Sequence, residues 1–163
     1  MSAKQLEKRI ERLGILVVDE NAYLRKLTRM MLMNIGAKLI YEAADGLAAL
    51  DAIRAANPDV LLLDWDLPIL NGSQVMQIVR SPGVFERPSI PAIMLSDCAD
   101  RGRIQAAMRL GVNEFLIKPT SPKALRDRLL SILIKPRAMV QIGKYYVPQP
   151  RRPTAQNELR HVA

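Results

Sequence analysis

Short apolar runs alternate with longer amphipathic stretches between residues 14 and 134. The apolar runs have the length of strands, and three of them lack polar alternation, which is typical of strands covered on both faces. The predicted strands lie at 15–18, 38–43, 59–63, 91–95 and 114–117. Helical periodicity predicts helices at 21–35, 45–56, 72–80, 99–110 and 121–134. Each predicted strand is therefore followed by a helix.

This alternation predicts an α/β fold with a doubly wound, five-stranded parallel sheet and helices on both faces. Parallel neighbours need long crossovers, and such crossovers are right-handed. We predict three parts: an amphipathic helix over 1–13, a folded domain over 14–134, and a basic, proline-containing tail over 135–163. In the first part, Leu6, Ile10 and Leu13 share one helical face.

Composition indicates a globular protein of the cytoplasm. The 163 residues are 49% hydrophobic, which is enough for one domain with its own core. No apolar run reaches the ~20 residues that span a bilayer, and the charged N-terminus has no signal-peptide core. The single cysteine, Cys98, forms no internal disulfide, as expected for a reducing compartment.

The positive charge is concentrated in the tail. From Lys135 onward there are six basic residues and one acidic residue, so +5 of the net charge of +8 lies there. A basic tail on a nearly balanced domain is typical of a docking segment. The alternative is a nucleic-acid-binding regulator that uses "GKYYVPQPRR" (143–152), where basic and aromatic residues are interleaved.

Polar side chains follow four of the predicted strands. They are Asp19, Glu20, Asp64, Asp66, Ser96, Asp97 and Lys118. The carboxyl ends of parallel strands meet at one edge, where ligands bind in open α/β sheets. Clustered carboxylates repel unless a cation neutralises them, and all-oxygen ligands favour Mg²⁺ or Mn²⁺. A carboxylate in such a site can act as a nucleophile towards a phosphoryl group.

Four motifs in this order resemble the receiver domain of two-component response regulators. They are "ILVVDEN" (15–21), "LLLDWDLPILNG" (61–72), "IMLS" (93–96) and "FLIKP" (115–119). The resemblance covers about residues 14 to 134. It implies a flavodoxin-like, CheY-like fold with strand order 2-1-3-4-5.

The resemblance also implies a site chemistry. Asp64 would accept a phosphoryl group from a sensor histidine kinase or phosphotransfer protein, and Lys118 and Ser96 would contact that group. Mg²⁺ or Mn²⁺ would be held by Asp19, Glu20, Asp64 and the backbone carbonyl of Asp66. Ser96 and Phe115 would form the switch, read out on the face built by 99–110, 114–117 and 121–134. The domain would catalyse its own phosphorylation and dephosphorylation while acting as a switch.

Some positions depart from the family pattern. Glu20 stands where aspartate is usual, which predicts an altered metal affinity. Phe115 lacks the hydroxyl of the commoner tyrosine. Asp97 replaces a small residue and predicts an unusual phosphate lifetime, while Trp65 is expected to modify the site by packing rather than by contact with a cofactor.

The segment 135–163 is too short for a familiar output domain. We therefore expect a stand-alone response regulator that signals through an unknown protein partner or a phosphorelay. A phosphorylation-inactive receiver-like module is an alternative. A homodimer through the N-terminal helix, the 99–134 face or the tail is a further hypothesis, since "MVQIGKYYV" (139–147) is rich in strand-forming residues.

Overall fold

The computed structural model describes residues 1–143 and 145–149. Its helices are α1 (Ala3–Arg12), α2 (Ala22–Asn34), α3 (Gly46–Ala56), α4 (Gly72–Val79), α5 (Arg101–Arg109) and α6 (Pro122–Ile134). Its strands are β1 (Gly14–Val18), β2 (Leu39–Ala43), β3 (Val60–Asp64), β4 (Ala92–Ser96), β5 (Glu114–Ile117), β6 (Met139–Ile142) and β7 (Tyr145–Pro148). The predicted elements between residues 14 and 134 are confirmed to within two residues at each end.

The first five strands form a parallel sheet in the order β2-β1-β3-β4-β5. The central strands β1, β3 and β4 are buried along their whole length, whereas β2 is partly exposed at the edge. This confirms the reading of uninterrupted apolar runs as strands covered on both faces. Within the described ranges, no helix is long and apolar enough to cross a membrane.

Alternate residues of each central strand enter opposite cores. Leu16 and Val18 of β1 pack with α3, α4 and α5, whereas Ile15 and Val17 pack with α1, α2 and α6. The two-residue period of a strand produces this division. The ends of the three central strands are thereby held between two packed helical layers, which fixes the position of the residues that follow them.

Helix α1 belongs to the second of these cores. Ser2 and Gln5 form a capping box at its start, and Ile10 is buried against the body of the chain. The apolar face proposed for pairing with a second copy is thus partly covered within one protomer. Dimerisation remains a prediction.

Strands β6 and β7 form an antiparallel hairpin that packs on the chain's own domain. The main-chain N–H of Tyr146 donates to the carbonyl of Arg80 over 3.2 Å. A Cβ at Gly111, whose φ is +85°, would lie 2.5 Å from the carbonyl oxygen of Tyr146. Part of the predicted tail is therefore a docked hairpin. Residues 144 and 150–163, which include four of the ten residues of the predicted nucleic-acid-binding segment 143–152, lie outside the described residues.

Arg80 connects this hairpin to the segments that precede β4 and β5. Its guanidinium is fully buried and donates to the carbonyls of Gly111 and Pro88 and to the side chain of Asn113. Burial lowers the pKa of Arg80 to about 9, which leaves it charged at neutral pH. These hydrogen bonds supply the solvation that a buried cation requires.

Candidate functional site

Three strands deliver charged side chains to one point above the sheet. Asp19 follows β1 directly, Asp64 is the last residue of β3, and Lys118 follows β5. Backbone hydrogen bonds extend the sheet pattern past two of these strand ends, from Asp19 N–H to the carbonyl of Ala43 and from Lys118 N–H to that of Ser96. The backbone at two of the three residues is consequently held by the hydrogen bonds of the sheet.

Lys118 bridges the two carboxylates. Its Nζ lies 3.0 Å from Oδ2 of Asp19 and 2.5 Å from Oδ2 of Asp64. The other oxygens accept main-chain hydrogen bonds, Asp19 Oδ1 from Asn21 over 2.9 Å and Asp64 Oδ1 from Asp66 over 3.2 Å. Both carboxylates are almost completely buried, with Asp19 4% and Asp64 5% exposed. The predicted meeting of these three residues is therefore seen.

Burial determines the electrostatics of this group. It raises the pKa of Asp64, and the charge of Asp19 raises it further, although Lys118 opposes the rise. For Lys118, burial alone would lower the pKa, but the hydrogen bonds to Asp64 and Asp19 outweigh burial and raise it. Two carboxylates thus share one ammonium group, and the cluster carries an excess negative charge.

The site supplies some, but not all, of the oxygen ligands that a hard cation needs. Asp19, Asp64 and the adjacent carbonyl of Asp66 offer oxygen atoms, and their excess negative charge favours a divalent ion such as Mg²⁺. In the described part of the chain, however, no three acidic, histidine or cysteine side chains form a metal-binding group. Glu20 is exposed and does not join the two buried carboxylates. A metal here would complete its shell with water, as Mg²⁺ commonly does.

Ser96 lies on the strand next to Asp64 and has a partner that sequence reasoning missed. Arg103, in the first turn of α5, donates from Nη1 to Ser96 Oγ over 2.9 Å. The same guanidinium stacks 5.1 Å from the centre of the Trp65 ring and lies 3.6 Å from Oδ2 of Asp66. A positive charge in the first turn of a helix interacts unfavourably with the helix dipole. The position of Arg103 in the sequence therefore indicated that another interaction stabilises it there.

Asp97 and Phe115 lie outside the buried group of Asp19, Asp64 and Lys118. Asp97 is exposed at the rim of a cleft of about 350 Å³ between α2 and the loop after β5. Phe115 is partly buried against the core beneath α3, α4 and α5. Trp65 packs against the same core, which fits the prediction that it acts by packing.

Known proteins share this arrangement of strands. A family model described as the response regulator receiver domain matches residues 15–130. The chain belongs to this family. Chemotaxis protein CheY1 of Helicobacter pylori is 32% identical over 120 residues, which are 73% of this chain and 95% of that protein. A solved putative response regulator from Chloroflexus aurantiacus is 28% identical with a TM-score of 0.68, covering 76% of this chain and 98% of the other.

The receiver domain is thus CheY-like, and the family and fold class predicted from the motifs are confirmed. A second solved relative, CheY4 of Vibrio cholerae, is 26% identical, with a TM-score of 0.66 over 74% of this chain and 98% of that one. Receivers of this family generally bind Mg²⁺ and interact with kinases and downstream proteins. This places the chain in two-component signalling.

Proposed function

We propose that this chain is a response regulator whose receiver domain accepts a phosphoryl group on Asp64. The observation that carries the proposal is the buried group of Asp64, Asp19 and Lys118, in which one ammonium bridges two carboxylates. A purely structural ion pair would need one carboxylate. The second leaves negative charge that attracts a divalent cation, and such a cation can in turn bind the oxygens of a phosphoryl group.

The chemistry is a displacement at phosphorus. A carboxylate oxygen of Asp64 forms a bond to phosphorus while the bond between phosphorus and the donor's leaving group breaks, and the leaving group departs with the electron pair. Burial raises the pKa of Asp64, which makes its carboxylate more basic. Lys118 stands where its ammonium balances negative charge on the transferring oxygens.

Asp19, Asp64 and the carbonyl of Asp66 would hold the metal, with Glu20 reaching it from the rim. A bound Mg²⁺ neutralises charge on the carboxylates and on the phosphoryl oxygens. The exposed position of Glu20 supports a weaker or more solvated site than one with two buried aspartates.

The cleft beside α2 supports access by a protein donor. Its lining combines apolar side chains from Leu24, Leu27 and Met31 with the charged ends of Asp19 and Lys118. An apolar surface that borders Asp19 and Lys118, the two side chains paired through the site with Asp64, is suited to a sensor histidine kinase or phosphotransfer protein, which must bring a phosphohistidine to Asp64. A downstream protein or a phosphorelay would then read the state of the domain.

Ser96 and Phe115 would transmit that state. Ser96 ends β4 and Phe115 lies within β5, so both border the surface built by α5, β5 and α6. Changes at Ser96 would alter the packing of Phe115 and shift the population of this surface between two arrangements. The exposed carboxylate of Asp97 would influence how long the phosphoryl group survives.

The test is phosphorylation by acetyl phosphate with Mg²⁺, followed by intact mass. We expect one added phosphoryl group in the wild type and none in Asp64→Asn. Asp51→Asn, which removes an exposed carboxylate on α3, is the matched control and should be phosphorylated normally. Omitting Mg²⁺ should suppress the gain in both competent proteins.

Absence of any gain in the wild type would instead support the phosphorylation-inactive receiver-like module. A gain that survives Asp64→Asn would place the acceptor on another residue. The basic-tail hypothesis makes a separate prediction: affinity for single-stranded nucleic acid that falls steeply with salt.

A further inference from the structure

The hydroxyl of Ser96 is held by two obligate donors. Arg103 Nη1 lies 2.9 Å from Ser96 Oγ, and the main-chain N–H of Cys98 lies 3.2 Å from the same atom. Neither group can accept a hydrogen bond, so Ser96 Oγ is the acceptor in both. A hydroxyl accepts two hydrogen bonds and donates one, which means that both of its acceptor positions are filled.

The remaining hydrogen-bonding capacity of the Ser96 hydroxyl is its O–H donor. In residues 1–143 and 145–149 this hydroxyl donates to no acceptor, although Ser96 is completely buried. Ser96 directly follows Leu95, the residue paired with Asp64 across β3 and β4. A buried donor without a partner is therefore one position away from the acceptor carboxylate on the neighbouring strand.

Arg103 is itself held in place by its surroundings. Its guanidinium lies over the ring of Trp65, and the ion pair with Asp66 holds it near the loop after β3. These contacts offset the unfavourable dipole at the start of α5. The arginine is thereby anchored to the segment that carries Asp64 as well as to Ser96.

We propose that Arg103 is a positioning residue that, with the N–H of Cys98, fixes the Ser96 hydroxyl as a hydrogen-bond donor to the phosphoryl group on Asp64. This inference rests on the proposed function. Without Arg103, one acceptor position of the hydroxyl oxygen is free, so the direction of its O–H bond is less restricted. With Arg103, only the donor position is left for an incoming phosphoryl oxygen.

The test is a double-mutant cycle on the full chain. We would measure the second-order rate constant for phosphorylation by acetyl phosphate with Mg²⁺ in wild type, Arg103→Ala, Ser96→Ala and the double variant. We expect each single change to lower the rate about tenfold, the size of one hydrogen bond to a charged group. Because Arg103 acts through Ser96, the double variant should be no slower than Ser96→Ala.

Two further variants separate this role from simple charge. Arg101→Ala removes a cation from the same helical turn and should leave the rate unchanged. Arg103→Lys keeps a donor and a charge and should recover part of the loss. Thermal unfolding of each variant verifies that it is folded.

The outcomes are distinct. A tenfold loss from Arg103→Ala that persists in the Ser96→Ala background would overturn the proposal, because it would show direct action on the phosphoryl group. Equal losses from Arg101→Ala and Arg103→Ala would also overturn it in favour of general electrostatics. If the wild type takes up no phosphoryl group, the proposed function and this inference are both wrong. If the wild type is phosphorylated and Arg103→Ala has the same rate constant, only the inference is wrong.

Discussion

Replacing Ile69 by asparagine should stabilise the protein. Ile69 lies in the loop between β3 and α4 with a φ of +70°, in the left-handed region. A β-branched residue is an outlier there because its Cβ approaches the following carbonyl. Asparagine tolerates this conformation, since its short polar side chain forms local hydrogen bonds.

The magnitude follows from strain and exposure. Left-handed backbone costs an ordinary L-residue roughly 1–2 kcal/mol. The side chain of Ile69 is 70% exposed and is not part of either core, so little apolar burial is lost when it is removed. Realistic unfolded chains bury a similar fraction of such a side chain. We therefore expect Ile69→Asn to raise the free energy of unfolding by about 1 kcal/mol.

Urea and thermal unfolding measure this change. About 1 kcal/mol corresponds to roughly 2–4 °C in Tm for a chain of this size. Ile69→Val keeps the branch and the strain and should stay within about 0.5 kcal/mol of wild type. An asparagine variant that is no more stable than the valine variant would refute the strain argument, and it would show that the apolar side chain itself stabilises the loop.

Three further changes test other parts of the structure. Asp64→Asn should raise the free energy of unfolding at pH 7, because burial raises the pKa of Asp64 and ionisation of this carboxyl therefore weakens the folded state as pH rises. The stability difference between variant and wild type should shrink towards about pH 4 and disappear below it, where the carboxyl is protonated in both the folded and the unfolded state. A difference that stays constant with pH would contradict this reasoning. Thr120→Val should raise the unfolding free energy by about 1 kcal/mol in urea titrations, because the buried hydroxyl has no partner among the described residues; a loss of stability would point to a bound water. Gly111→Ala should detach the hairpin and speed amide exchange in β6 and β7, because the added Cβ would collide with the carbonyl oxygen of Tyr146. Gly83→Ala is the control: Gly83 has a similar φ but open space around it, so the exchange should not change. Equal exchange rates in the two variants would contradict the contact between Gly111 and the hairpin.

The parallel topology made the main site predictable from the chain alone. Asp19, Asp64 and Lys118 each follow a buried apolar run, and strand ends in a parallel sheet share one edge. The side-chain direction of Glu20 was not predictable in this way, because it depends on the dihedral angles of a loop rather than on strand period. The sequence therefore indicated a fuller carboxylate cluster than the structure contains.

Arg103 and Ile69 show two other limits. Arg103 is separated from Ser96 by a loop and a helix start, so their contact depends on how α5 packs, which local patterns do not encode. The positive φ of Ile69 contradicts the preference of its own side chain, and only the geometry of the whole loop imposes it. In both cases tertiary packing overrides local preference.

The stacking of Arg103 on Trp65 also gives the protein an optical probe. Trp65 is the only tryptophan in the chain, and it is the residue that follows Asp64. Indole emission responds to the charge and solvent that contact the ring, and here the contacting cation is also bonded to Ser96. Excitation near the red edge of tyrosine absorption would report from one ring next to the acceptor carboxylate. Rearrangements at this site can therefore be followed in real time by intrinsic fluorescence, without any label.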